Sequence, residues 1–220
     1  GGSMVTPVGI KHLHGLGATV LILASAGLAW HGQPAPNEKW EFLASELEPR
    51  LTERQVQIDP AELAELMRNN YIDLQLIDVR EERDWNLFHL WGAQRIPVPD
   101  LPAQGERFAA LPANGVIVLM SNDEATATEA WKLMMATASK PNAYILAGGI
   151  NRWLAEFAPG HHGRAVVAGG TADETLRYPL KWALGSRHPA ALPDTHHVKT
   201  FSTNNKVKLQ KRIVMKGGCG

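Results

Sequence analysis

Two side chains in this sequence could do nucleophilic chemistry, Ser121 and the sole cysteine, Cys219. Ser121 directly follows the apolar run Gly115-Val116-Ile117-Val118-Leu119-Met120 and opens the loop Ser121-Asn122-Asp123-Glu124-Ala125-Thr126. A serine there needs a base to act as a nucleophile, and His89 is the histidine nearest to it in sequence. The loop also fits a plainer purpose. Ser121-x-x-Glu124 ahead of an alanine-rich segment is a capping-box pattern, in which serine accepts an amide bond and glutamate reaches back. Asp123 adds negative charge at the start of that helix. No lysine or arginine occurs from Ser121 to Trp131, so an anionic substrate would meet two local carboxylates.

Cys219 lies in Lys216-Gly217-Gly218-Cys219-Gly220, a glycine-flanked arm downstream of Lys206, Lys208, Lys211 and Arg212. Nearby cations favour a thiolate, so Cys219 is a candidate sulfur carrier. The alternative is an ordinary chain end. One cysteine excludes an internal disulfide and a cysteine-rich zinc site. The histidines His161, His162, His188, His196 and His197 have no carboxylate or thiol at a ligand spacing, and no metal or cofactor is expected. The pair Asp78 and Arg80 is expected to pin a strand end.

The elements that position these residues follow from the apolar pattern. Glu38 to Leu51 predicts a short helix. Val56-Gln57-Ile58 predicts a strand, followed by a helix capped by Asp59, with Pro60 in its first turn and Glu62 closing a capping box. Leu63, Leu66 and Met67 make its apolar stripe. Leu74 to Val79, Gly115 to Met120 and Ala143 to Leu146 are short apolar runs of buried-strand type. Arg95 to Val98 is a further extended piece. Thr126 to Thr137 is helical, with Ala127, Ala130, Trp131 and Met134 on one face. Gly148-Gly149 turns the chain into a last helix, Ile150 to Phe157. Strands alternating with helices across short connections predict an α/β fold with a central parallel sheet flanked by helices.

The order of motifs resembles the rhodanese-like superfamily over residues 56–157. Asp78-Val79-Arg80, Asp84-Trp85, His89, Gly92-Ala93 and Ile96-Pro97 are similar to its first signature. Val116 to Met120 resembles the strand leading to its active-site loop. Tyr144-Ile145-Leu146-Ala147-Gly148-Gly149-Ile150 with Trp153 is similar to its closing signature. The resemblance implies a three-layer fold, a structural role for Asp78, Arg80, His89, Gly148 and Gly149, and a binding loop at Ser121 to Thr126. It also puts Ser121 where active members carry the cysteine that holds sulfur as a persulfide. An alcohol forms no persulfide, so the domain is expected to bind or scaffold without catalysing sulfur transfer. The alternative is a sulfurtransferase or carrier that uses Cys219. A hydrolytic or phosphatase use of Ser121 is a third reading.

The flanks carry further expectations. Residues 1–9 open with a Gly1-Gly2-Ser3 tag remnant before Met4. Residues 10–32 form a membrane anchor or signal segment: no Asp, Glu, Lys or Arg lies between Lys11 and Glu38, and Leu16 to Trp30 is nearly all apolar. That run is somewhat short of the ~20 residues of a spanning helix. Ala24-Ser25-Ala26 would suit cleavage, and a buried helix is the remaining alternative. Trp30 and Trp40 would be interfacial anchors. Lys11 favours a bacterial inner-membrane protein with its main domain in the periplasm. A cytoplasmic-facing or secreted form is the alternative. Residues 33–55 read as a linker and short helix. Residues 158–220 form a basic extension with ten Lys/Arg against three Asp/Glu, while the whole chain has zero net charge. Such a tail docks on its own acidic domain, on anionic lipid or on a protein partner. Glu174 to Leu184 and a hairpin around Asn204-Asn205 are its candidate elements. It has no nucleic-acid motif.

Overall fold

In the computed structural model, apolar residues that alternate along each strand divide between two cores, one on each face of a single sheet. The structure describes residues 1, 35–138, 141–158, 175–177, 185–194 and 205–209. The candidate anchor at residues 10–32, Cys219, the four other tail histidines and most of the expected tail elements lie outside the described residues. Among the described residues, no helix is long and apolar enough to cross a membrane.

Helix α1 (Pro36–Thr52) precedes strand β1 (Gln57–Ile58) and helix α2 (Pro60–Arg68). Strand β2 (Asp73–Asp78), helix α3 (Glu82–Leu87) and strand β3 (Gln94–Arg95) follow. A 3-10 helix at Val98–Gln104 leads into the short α4 (Gly105–Ala109). Strand β4 (Gly115–Met120), α5 (Ala125–Thr137), β5 (Ala143–Leu146) and α6 (Gly149–Phe157) complete the domain. The sheet order is β1-β5-β4-β2-β3, with every pairing parallel. Parallel strands need crossovers, and the helices that make them cover both faces.

Strand β4 shows how the layers form. Val116, Val118 and Met120 face the core built with α2 and α6, which holds Leu63, Ile150 and Trp153. Ile117 and Leu119 face the other core, with Leu47 of α1 and Ala127, Ala130, Trp131 and Met134 of α5. Trp131 is fully buried, and its indole N–H donates to the Ala143 carbonyl at 2.9 Å. Trp40 packs edge-on against it at 6.2 Å. The expectation that Trp40 anchors at a membrane interface is therefore corrected: its ring packs against the core formed with α5.

Two other local expectations are corrected. Residues 95–98 are not one extended piece, because β3 ends at Arg95 and a 3-10 turn starts at Val98. Asp59 is the N-cap of α2, yet its side chain makes no cap bond. Asp59 instead pairs with Arg152 at 2.9 Å. Glu62 closes no capping box either. Its Oε1 accepts the backbone N–H groups of Lys206 and Val207 at 2.7 and 2.8 Å, so a distant segment has taken the carboxylate.

That contact is one of several by which the C-terminal extension docks on the domain. Lys208 N–H donates to the Tyr144 hydroxyl at 3.0 Å. The Trp153 indole donates to the Ala190 carbonyl at 2.7 Å, and Trp91 N–H to the Ala191 carbonyl at 3.0 Å. His188 caps the 3-10 turn Pro189–Ala191 by accepting Ala190 N–H on Nδ1 at 3.1 Å. Burial lowers its pKa, which favours the neutral ring this acceptor role requires.

Candidate functional site

The loop between β4 and α5 is held from four directions, and each contact uses a group that could otherwise meet a ligand. Ser121, Asn122 and Asp123 are all buried, Ser121 to 1% exposure. The carbonyls of Ser121 and Asn122 accept the N–H groups of Ile150 and Asn151 at 2.9 Å each. They thus satisfy the first turn of α6, whose amides have no partner within the helix. Gly149 makes this approach possible. It sits at φ +60°, and a Cβ there would lie 2.0 Å from the Asp123 carbonyl and 2.5 Å from that of Ser121. Only glycine fits that backbone and that gap.

The Ser121 hydroxyl accepts the Ala127 N–H at 3.2 Å. Ala127 is the third residue of α5, so the serine hydroxyl satisfies a first-turn amide, though from six residues upstream and not from the N-cap position. The capping box itself is corrected. The N-cap residue is Glu124, without a side-chain cap bond, and Glu124 does not reach back to Ser121. Its carboxylate forms a fork with Arg54, at 3.0 and 2.9 Å, and accepts the Gly148 N–H at 2.9 Å. The hydrogen bonds that Arg54 donates to Glu124 raise the Arg54 pKa further.

Asp123 is matched in the same way. Its Oδ1 accepts the Asn151 amide at 3.2 Å and pairs with the Arg177 guanidinium. Asn151 also holds the backbone of that segment, accepting Arg177 N–H at 2.8 Å and donating to the Thr175 carbonyl at 2.9 Å. The bare local negative charge read from the sequence is thus corrected. Each loop carboxylate has an arginine, supplied from 70 residues upstream and 54 downstream.

The strand β2 end supplies the floor. Arg80 and Asp78 are buried, and Arg80 Nε and Nη2 reach the two Asp78 oxygens at 2.9 and 2.6 Å. Arg80 also donates to the Asn122 side-chain oxygen at 3.1 Å and the Phe88 carbonyl at 2.7 Å. Asn122 in turn donates to Asp84 at 2.5 Å. The guanidinium therefore ties β2, the loop and the end of α3 together. A planar five-donor fork suits this branching role, which lysine could not fill.

A cavity of about 290 Å³ opens beside the loop, with Arg80, Glu81, Asp84, Ser121, Thr126 and Thr175 in its wall. His89 is not part of that wall. Its Nδ1 lies 2.9 Å from the Trp85 carbonyl, and its ring stacks on Trp85 at 3.7 Å. The structure gives Ser121 no histidine base from this position. Sequence reasoning missed Arg54, Thr175 and Arg177, which lie outside the motifs, and Asn151, which falls at an unspecified position inside the closing one. Among the described residues, no group of three or more His, Cys, Asp and Glu side chains is placed to hold a metal ion.

Residues 59–156 match the family model of the rhodanese-like domain. Similar solved structures include SSP1007 from Staphylococcus saprophyticus, at 21% identity and TM-score 0.35, covering 43% of this chain and 89% of that one. The single-domain sulfurtransferase RDL2 from Saccharomyces cerevisiae has 21% identity and TM-score 0.37, covering 44% and 87%. A rhodanese-like domain protein from Staphylococcus aureus has 19% identity and TM-score 0.37, covering 44% and 89%. No curated protein matches the chain.

Proposed function

We propose, from the premise that residues 59–156 are a rhodanese-like domain, that this domain is a non-catalytic binding or scaffold module, attached to the membrane through residues 10–32. One observation carries the reading. The residue after β4 is a serine whose hydroxyl is engaged by the Ala127 amide at 3.2 Å. Rhodanese chemistry needs a thiolate that attacks sulfane sulfur and then holds it, and backbone amides with a helix dipole favour that anion. An alcohol cannot hold the sulfur. The surrounding groups are also engaged: Glu124 by Arg54, Asp123 by Arg177, and Arg80 by Asp78.

A module of this kind presents its loop and the docked extension as a recognition surface. The expected chemistry is polar, with Glu81, Arg83 and Thr126 bordering the cavity. The test is a thiosulfate:cyanide assay on the full chain, paired with Cys219→Ser. No turnover in either protein supports the module. Turnover that survives Cys219→Ser overturns it, and turnover lost in Cys219→Ser moves the function to a terminal sulfur carrier. Membrane attachment is tested separately by alkaline extraction of membranes from cells producing the full chain. Release of the protein by alkali would remove that part of the proposal.

A further inference from the structure

A second concave surface lies apart from the loop and has no part in the reading above. It is a groove of about 520 Å³ between the last turn of α1, the turn that follows it, β5 and the segment 205–209. Among the described residues, four cations line it, Arg50, Arg54, Lys206 and Lys208, against the single carboxylate of Glu53. Two of the cations are engaged. Arg54 forks onto Glu124, and the Lys206 ammonium donates to the Gln57 carbonyl at 2.8 Å. Among the described residues, the side chains of Arg50 and Lys208 have no hydrogen bond or ion pair. Glu53 is partly engaged, accepting the Gln55 amide at 2.6 Å.

Cations gathered on one concave wall raise the local potential and favour an anion there. The rest of the wall is polar, with Gln55, Asn142 and the Tyr144 hydroxyl. That hydroxyl accepts the Lys208 N–H, which leaves its own proton available to donate. The wall offers little for an apolar ligand. A guanidinium fork and an ammonium point charge lining one groove match a doubly charged tetrahedral oxyanion. The volume falls in the range of small-molecule sites, roughly 300–1,000 Å³.

We propose that this groove binds a small phosphate-bearing molecule, with Arg50 and Lys208 as its two principal ligands. Arg50 belongs to α1 and Lys208 to the docked extension, so a phosphate held between them would tie the extension to the domain. Binding would then stabilise the folded chain by mass action.

The experiment uses pyrophosphate as probe on the full chain, at constant ionic strength, read by calorimetry and by thermal unfolding. Saturable binding with a rise in Tm is expected. Arg50→Gln and Lys208→Gln should each weaken affinity about tenfold, equivalent to ~1.4 kcal/mol, and the double variant should abolish it. Both residues are partly or fully exposed, so ligand-free Tm should stay close to that of the parent. Lys208→Glu is a second variant that should reverse the attraction. Absence of saturable binding at millimolar probe overturns the proposal. So does unchanged affinity in the double variant, or an equal rise in Tm from sodium chloride at matched ionic strength.

Discussion

Replacing Ser121 by alanine should cost stability and nothing else. Ser121 is 1% exposed, and its hydroxyl accepts the N–H of Ala127, which is itself fully buried. Alanine removes the acceptor and leaves that amide without this bond in a place water does not reach. Losing an N-terminal cap costs ~0.5–2 kcal/mol, and stranding a buried donor costs ~1–3 kcal/mol. The two describe one event, so the expected loss is about 1.5 kcal/mol. For a folded unit of this size each kcal/mol moves Tm by roughly 2–8 °C. Urea unfolding of the full chain, followed by far-UV circular dichroism, should show a lower midpoint with an unchanged slope. Esterase and phosphatase activities should be absent in parent and variant alike. A variant as stable as the parent, or one that loses a hydrolytic activity the parent possesses, would refute the cap reasoning.

Three other outcomes follow from the geometry. Gly149→Ala should destabilise by at least ~3 kcal/mol, because a Cβ would meet the Asp123 carbonyl at 2.0 Å on a positive-φ backbone; equilibrium unfolding checks it. Arg80→Met should cost about 3–5 kcal/mol, since it leaves the Asp78 carboxylate buried without its guanidinium; the same titration reads this, and loop amides should lose hydrogen-exchange protection. Burial raises the Glu62 pKa above its ordinary value, against the opposing pull of the Val207 and Lys206 amides. A raised carboxyl pKa stabilises the fold at low pH, and that contribution is lost as pH rises through the folded value. Glu62→Gln keeps an acceptor oxygen for both amides, so it should be at least as stable as the parent at pH 7, with the advantage shrinking toward pH 4 in a pH series of unfolding midpoints.

The sheet was legible because its signal is local. The β4 run Gly115 to Met120 is apolar at every position, and a strand buried on both faces requires that. The buried face of α5, with Ala127, Ala130, Trp131 and Met134, follows from helical spacing alone. The Gly148-Gly149 turn was readable because left-handed backbone favours glycine. The polar partners were not readable. Asp59, Glu62 and Glu124 all stand in good local capping patterns, yet they bind Arg152, the Lys206 and Val207 amides, and Arg54. Nothing in three or four residues of sequence announces a partner tens of residues away. The docked extension shares this property. Its general basic character suggested self-docking, but no local pattern marks Arg177 as the partner of Asp123, 54 residues away.

The measurement that most directly tests the loop is the pKa of a thiol placed in it, by Ser121→Cys in a Cys219→Ser background. Alkylation rate against pH reads it. With the nearby arginines already paired to Glu124, Asp123 and Asp78, the thiol should alkylate slowly and titrate at or above the ordinary value of about 8.5. A fast-reacting thiol with a pKa below ~7, as helix N-termini and cationic neighbours produce, would mean that the loop still forms an open anion cradle.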